Sequence, residues 1–306
     1  AIGYHALTSA TTGAENVAIG RASLSELTTG ASNVAVGYAT LDAATTASNN
    51  TAVGHNALTT NTTGTDNVAV GYEALKAQTT GGYNVAVGRS AGGAITTGEK
   101  NVVVGSAAAD ALTTADQCTA VGYGALGAAT TADSNTAVGY HSLAVNTSGT
   151  RNVSVGTENM VSNTTGSDNT AIGTGALANN TTAGNNTAVG RSALLANTTG
   201  SQNVAMGDNA LGANTTADYN TALGTSTLQL NTTGTRNVAT GAFSLTANTT
   251  GDGNVAMGYQ ALKSNTTASN NTAIGDQALE LNTTGYDNTA VGALALDSNT
   301  TGSLNT

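Results

Sequence analysis

Few residue types in this chain could carry out chemistry, and they do not recur together. The 306 residues include one Cys, three His and only 8% charged residues. His5, His55 and His141 are separated by three and then five copies of a 17-residue repeat. If the repeats stack, these side chains lie about 14 and 24 Å apart, too far for a shared metal or catalytic pair within one chain. We interpret them as tolerated residues at variable repeat positions.

The remaining reactive residues also have structural interpretations. Cys118 occupies a repeat position that is Asn in the seventeen other instances, so we expect a near-isosteric substitute, with a reactive or cross-linking thiol as the alternative. Acidic residues fall mainly at variable positions, and neither zinc-ligand spacing nor a calcium-binding repeat is present. The sequence therefore predicts no catalytic, cofactor or metal residues and no enzyme activity, and it leaves ligand-binding residues undefined.

Two recurring motifs could bind or be modified. Tyr often follows an invariant Gly, which predicts packing over that Gly, with ligand stacking as the alternative; the residues are Tyr4, Tyr38, Tyr72, Tyr123, Tyr140 and Tyr259. Eleven Asn-Thr-Thr or Asn-Thr-Ser runs, beginning at Asn61, match the N-glycosylation acceptor. A turn also favours Asn, Thr and Gly, so the motif alone leaves glycosylation open.

These residues belong to a repeat of constant length. Counted from Asn16 as position 1, each repeat follows N-[TV]-A-[VI]-G-x-x-[AS]-L-x-x-N-T-T-[GA]-x-x, without one insertion or deletion up to Asn305. A period this regular indicates one geometric unit stacked on the next. We expect a single continuous array over residues 1–306, without linkers or visible caps, that is a window of a longer fibre.

The repeat length predicts the fold class. Seventeen residues suit two or three short strands with tight bends, so we predict an all-β parallel β-solenoid, or β-roll, of eighteen rungs. Asn at position 1 should form an axial ladder of side-chain amides. Gly is found at position 5 in all eighteen copies, which indicates a positive φ or a close backbone approach. Gly92 and Ala109 replace the usual Leu at position 9, and position 12 of the same two repeats carries the large residues Ile95 and Leu112. The side chains at positions 9 and 12 should therefore share one volume.

The strand at positions 1 to 5 is apolar on both faces. Positions 2 and 4 are mostly Val, Thr or Ile, and positions 3 and 5 are almost always Ala and Gly. Such a strand is expected to be buried on both sides. We predict that the Ala and Gly face, including Ala137 and Ala188, packs against other copies of the chain in a homo-oligomer, with a homotrimer as the favoured form.

Charge excludes some partners. The net charge is −10 and no cluster of Lys or Arg occurs, which disfavours nucleic acid and anionic membrane surfaces. No apolar stretch approaches the roughly 20 residues that span a bilayer. We therefore expect no membrane contact within this segment.

The strings Asn-Val-Ala-Val-Gly-Tyr (67–72) and Asn-Thr-Ala-Val-Gly-Tyr (135–140) resemble the head repeats of YadA-type trimeric autotransporter adhesins. They are equally similar to related repeats of phage and bacterial tail-fibre-like proteins. The resemblance implies a left-handed β-roll with three chains per fibre. We expect a non-enzymatic shaft or display segment of an extracellular fibre, on a cell-surface appendage or a virion, that serves adhesion and has a cell-surface or matrix receptor as its possible partner.

Two other functions remain as alternatives. The Thr columns at positions 13 and 14 suggest an ice-binding solenoid, although adjacent Thr residues in a strand would point to opposite faces. A carbohydrate-cleaving β-helix is the second alternative, and it requires carboxylates clustered along one groove. No rung supplies such carboxylates repeatedly.

Overall fold

The computed structural model describes all 306 residues, which form two compact units, residues 1–152 and 153–306. Both units are all-β and contain no helix, and each strand covers repeat positions 2 to 4. The strands of the first unit are β1 (Val17–Ile19), β2 (Val34–Val36), β3 (Thr51–Val53), β4 (Val68–Val70), β5 (Val85–Val87), β6 (Val102–Val104), β7 (Thr119–Val121) and β8 (Thr136–Val138). The strands of the second unit are β9 (Val153–Val155), β10 (Thr170–Ile172), β11 (Thr187–Val189), β12 (Val204–Met206), β13 (Thr221–Leu223), β14 (Val238–Thr240), β15 (Val255–Met257), β16 (Thr272–Ile274) and β17 (Thr289–Val291).

Within each unit, every strand pairs in parallel with the strand of the next rung. The partners are 17 residues apart, so Val34 pairs with Thr51 in the first unit and Thr187 pairs with Val204 in the second. The predicted parallel β-solenoid with 17-residue rungs is confirmed. Seventeen strands form where eighteen rungs were expected, because the first partial repeat contributes only a single bridge between Ile2 and Ile19.

The rest of each rung consists of turns, so the prediction of two or three strands per rung was wrong. Positions 7 and 9 repeatedly have left-handed backbone, with φ of 57° at Ala22 and 52° at Leu24. Strand residues need negative φ, so these positions interrupt any extended segment. The turns are still hydrogen-bonded between rungs. The N–H of Leu24 donates to the C=O of Thr40 at 3.1 Å, and that of Thr28 donates to the C=O of Thr45 at 2.9 Å.

The core is a thin column of small and medium side chains. Ala at position 3 and Leu at position 9 are completely buried, as at Ala35 and Leu41. Where position 9 is Gly92, a Cβ added to that residue would meet Cδ1 of Ile95 at 2.9 Å. Positions 9 and 12 therefore fill one volume, as predicted.

The Ala face of the strand points in the opposite direction to the one predicted, toward the chain's own core and not toward other copies. Ala at position 3 points into the chain's own core, and Ala137 and Ala188 are fully buried. Leu at position 9 leaves room for little more than a methyl group at position 3. The larger Val103 occurs at position 3 in the rung whose position 9 is the small Ala109, and both are buried. The expected packing of other chains on the Ala and Gly face was therefore wrong.

The invariant Gly at position 5 ends each strand. At Gly37 the backbone has φ of 143°, and an added Cβ would collide with the C=O of Gly54 in the next rung. A side chain is therefore excluded both by backbone conformation and by the approach of the neighbouring backbone. The positive φ and the close backbone approach, which the sequence suggested as alternative causes, are therefore both present.

Two ladders of buried Asn side chains run along the core. At position 1, the N–H and Nδ2 of Asn50 donate to Oδ1 of Asn33 at 3.0 and 3.1 Å. Nδ2 of Asn50 also donates to the C=O of Gly64 at 2.9 Å. This predicted ladder is confirmed. A second, unpredicted ladder forms at position 12, where Nδ2 of Asn180 donates to Oδ1 of Asn163 at 2.8 Å.

Candidate functional site

The outer face of each sheet consists of two uncharged columns of side chains. Position 4 is Val, Ile, Leu or Met in every strand except the one ending at Thr240, and position 2 is Val or Thr. Ile19 is 39% exposed and Met206 is 43% exposed. No charged residue occurs at either position in any strand. Each unit therefore presents an uncharged strip, two side chains wide, to solvent; we call it the outer strip.

Position 6 carries a column of contacting side chains in the first unit. The ring of His55 stacks on those of Tyr38 and Tyr72, with centroid distances of 4.9 and 5.4 Å. The guanidinium of Arg21 lies 5.9 Å from the ring centroid of Tyr4 and 5.7 Å from that of Tyr38. These Tyr side chains pack on neighbours of their own column.

Ion pairs between charged side chains lie at the surface. Nζ of Lys76 lies 2.9 Å from Oε1 of Glu73, and this hydrogen bond holds the pKa of the Glu73 carboxyl below its usual value. Arg191 and Asp208 form a similar pair at 2.9 Å between adjacent rungs. Exposed pairs of this kind contribute little to stability because solvent screens them. The charges therefore belong to the solvated surface, as the sequence indicated.

A cleft of about 390 Å³ opens on the surface of the first unit. Gly124, Gly127, Ala128 and Ala144 line it at repeat positions 7, 10, 11 and 10. Position 10 carries large residues in other rungs, such as Lys76. The cleft exists because the side chains that cover this part of the surface elsewhere are missing here. We call these four residues the cleft floor.

Three side chains with polar groups surround the cleft floor. An added Cβ at Gly124 would lie 3.0 Å from Nδ1 and Cε1 of His141, so the imidazole lies directly over this glycine. Oδ1 of Asp110 lies 3.8 Å from the corresponding position at Gly127. Tyr123 meets His141 edge to face, with centroids 5.4 Å apart. A carboxylate, an imidazole and a phenol thus line the same cleft.

Sequence reasoning missed this group of residues. His5, His55 and His141 do lie apart, and each contacts a Tyr ring. His141 additionally shares the cleft with Asp110, although the whole rung 118–134 separates them in sequence. The available signal was the accumulation of Gly and Ala at outward positions within that one rung.

Both kinds of candidate modification site are buried. Asn197 represents the glycosylation motif; it is fully buried, and its Nδ2 donates to Oδ1 of Asn180 at 2.9 Å. In the interior rungs the folded chain therefore does not expose the nitrogen to which a glycan would attach. Cys118 is 1% exposed, with Sγ 3.2 Å from the C=O of Ala132. Burial raises the pKa of its thiol to about 11, which keeps it protonated at neutral pH.

The two Thr columns lie in turns rather than in a strand and differ in exposure. Position 14 is exposed in every rung, whereas position 13 is half-buried in most rungs. The hydroxyl of Thr28 at position 13 donates to the C=O of Thr45 at 3.0 Å, and Thr249 does the same to Thr266 at 3.0 Å. Only one consistently exposed column of Thr side chains results.

Comparison with known proteins gives no match to any family model and no significant match to a curated protein. No helix in the structure is long and apolar enough to cross a bilayer. No group of three or more His, Cys, Asp or Glu side chains is placed to hold a metal ion. The outer strip, the variable surface positions and the cleft are the features of the chain that bear on its function.

Proposed function

We propose that this chain is a non-enzymatic structural segment of an extracellular fibre, in which copies of the chain associate through their outer strips. The outer strip is the observation that carries the proposal. Its side chains are apolar or Thr, carry no charge and remain about 40% exposed at positions such as Ile19 and Ile172. Large contiguous exposed apolar surfaces mark interaction sites on soluble proteins.

Spacing and charge favour a second copy of the chain as the partner. The columns of the outer strip repeat at the strand spacing of about 4.8 Å, and the surface that matches this spacing along many rungs is another copy. The net charge of −10 makes copies repel each other. An uncharged contact face keeps those charges away from the interface. The resemblance to trimeric adhesin head repeats favours three copies.

The variable positions supply the display role. Positions 6, 10 and 11 change freely between rungs while positions 3, 5 and 9 barely change. A constant framework with a variable exterior suits a segment that presents side chains to a cell-surface or matrix receptor. Adhesion or surface attachment is the function that this arrangement favours.

Substitution in the outer strip tests the proposal. We expect the unmodified chain to sediment as an oligomer, with three times the chain mass for a trimer. Val87→Arg should dissociate it because each copy then brings a buried unpaired charge to the interface. Ser106→Arg is the control, since position 6 already carries Arg21, Arg89 and Arg191. A monomeric unmodified chain, or an oligomer that tolerates Val87→Arg, would contradict the proposal.

Ice binding is the second candidate, supported by the regular exposed Thr column at position 14. Because the hydroxyls at position 13 are engaged by backbone C=O groups, the array is only one Thr wide. We therefore prefer the fibre role. An ice-binding function predicts thermal hysteresis that Thr199→Lys reduces, whereas the fibre role predicts no hysteresis in either protein.

A further inference from the structure

The small residues of the cleft floor are not required by the core. In the rung 118–134, Leu126 fills the usual core volume and is fully buried. Gly127 and Ala128 occupy outward positions that accept larger residues in other rungs, such as Gln229 and Leu230. Because Gly127 and Ala128 are smaller than the residues at these positions in other rungs, they open the surface without changing the packing of the core. The cleft is therefore a surface feature and not a by-product of core packing.

The cleft combines an apolar floor with polar groups at its edge. The floor consists of Cα and methyl groups, while Asp110, Tyr123 and His141 provide a carboxylate, a phenol and an imidazole. A pyranose ring has the matching distribution, because its faces present C–H groups and its periphery presents hydroxyls. Sugar hydroxyls both donate and accept hydrogen bonds. They therefore suit an edge where the Asp110 carboxylate can only accept, whereas the Tyr123 phenol and the His141 imidazole can donate or accept. We propose that this cleft binds a pyranose unit of a glycan.

Other ligand classes fit less well. An anion would meet the Asp110 carboxylate, and no Lys or Arg lines the cleft. A metal ion lacks a third ligand, since no group of three metal-binding side chains exists. A quaternary ammonium ion needs open aromatic faces. Here Tyr123 stacks on Tyr140 at 5.8 Å and His141 meets its ring edge to face. The volume of about 390 Å³ lies in the range of small-ligand sites.

Filling the cleft provides the first test. The probes are the methyl glycosides of glucose, galactose, mannose and N-acetylglucosamine, titrated at millimolar concentration and followed by saturation-transfer NMR and calorimetry. We expect at least one glycoside to bind the unmodified chain. Gly127→Gln should weaken this binding by at least about tenfold, because Gln occupies the cleft and position 10 carries it at Gln229.

Gly212→Gln is the matched control for this variant. Gly212 also lies at position 10, and an added Cβ there meets the C=O of Asn209 at 3.2 Å, as one at Gly127 meets the C=O of Gly124 at 3.3 Å. The backbone cost of the two substitutions is therefore similar, and only Gly127→Gln fills the cleft. Equal binding by the two variants would overturn the proposal, as would the absence of binding by all four glycosides.

Two further variants test the polar edge. Asp110→Asn and Tyr123→Ala should each weaken glycoside binding several-fold, while Tyr259→Ala, at position 6 far from the cleft in sequence, should leave it unchanged. Binding of tetramethylammonium in place of the glycosides would overturn the proposal. Sedimentation of Gly127→Gln separates this inference from the fibre role, because the cleft lies outside the outer strip and the oligomer should be unaffected.

Discussion

The two units share one rung design but fill position 12 differently. In residues 153–306 all nine occupants of this position are Asn, which form an unbroken ladder from Asn163 to Asn299. In residues 1–152 the occupants from the first complete repeat onwards are Leu27, Ala44, Asn61, Gln78, Ile95, Leu112, Ala129 and Asn146. The same solenoid therefore tolerates either a polar or an apolar interior at this position, while positions 1, 3, 5 and 9 stay nearly constant.

The difference changes how the interior is stabilised. In the second unit each buried amide donates both along the ladder and within its own turn, as Asn248 does to Asn231 at 2.8 Å and to Gly251 at 3.0 Å. In the first unit, some rungs instead bury an apolar side chain at this position, as at Ile95 and Leu112. One residue there fits poorly, since Oε1 of the buried Gln78 has no hydrogen-bond partner. The less regular unit is also the one that contains the cleft and Cys118.

The largest expected effect concerns what the units share. Gly54→Ala in the first unit and Gly258→Ala in the second should each destabilise the chain by more than about 3 kcal/mol. The added Cβ collides with the C=O of Gly71 or Gly275, and both glycines have φ near 140°. Chemical denaturation measures both losses. Gly212→Ala, at an outward position without positive φ, should change stability little. Unequal losses at Gly54 and Gly258 would show that the units do not share one framework.

The continuous Asn ladder at position 12 distinguishes the second unit from the first. Asn231→Ala should cost about 3 kcal/mol because Nδ2 of Asn248 loses one of its two acceptors and Oδ1 of Asn214 loses its donor. Adding Asn248→Ala should cost less than the sum of the single changes, since the two side chains share one hydrogen bond. The exposed Asn179→Ala serves as control. Additive losses would mean that the ladder contributes no coupling and that the amides act only as space-filling groups.

Much of the framework could be predicted from the sequence because it depends on period. A 17-residue repeat without insertions places residues such as Asn33 and Asn50 in register, and the Asn ladder and the Gly contacts follow from that register. The inward face of the strand could not be predicted. Both alternating sets of residues are apolar, and only the volume taken by Leu at position 9 selects Ala over Val for the interior.

The number of strands per rung and the cleft could not be predicted from the sequence, for a different reason. Leu24 and its equivalents adopt a left-handed conformation although they are not Gly, so no residue type marks the point where extended structure stops. The cleft depends on the absence of side chains at Gly124 and Gly127, which in sequence resembles ordinary variation. Sequence patterns report what repeats, whereas the cleft consists of residues that depart from the repeat.

The smallest expected effect is at Cys118, where the position 1 ladder of the first unit is interrupted. In a regular rung, Nδ2 of Asn101 donates to Oδ1 of Asn84 at 3.1 Å and to the C=O of Ala115 at 2.9 Å. Cys118 replaces this amide with a thiol, which donates only weakly, from Sγ to the C=O of Ala132. Cys118→Asn should therefore raise the free energy of unfolding by about 1 kcal/mol, measured in denaturant at neutral pH. A loss of stability would mean that the sulfur packs better than the amide at this rung.

The same substitution has a consequence in alkali. Burial raises the pKa of the Cys118 thiol from 9.0 to about 11. Below pH 9 the thiol is protonated in both the folded and the unfolded chain, so its contribution to stability is complete. Between pH 9 and about 11 the unfolded chain loses the proton while the folded chain keeps it, so the free energy of unfolding falls as pH rises. Subtracting the curve of Cys118→Asn isolates the contribution of this thiol. We expect a difference between the two curves that grows across this window. Parallel curves would show that the thiol ionises as readily in the folded chain as in the unfolded one, and the thiol would then also react with iodoacetamide near pH 9 without unfolding.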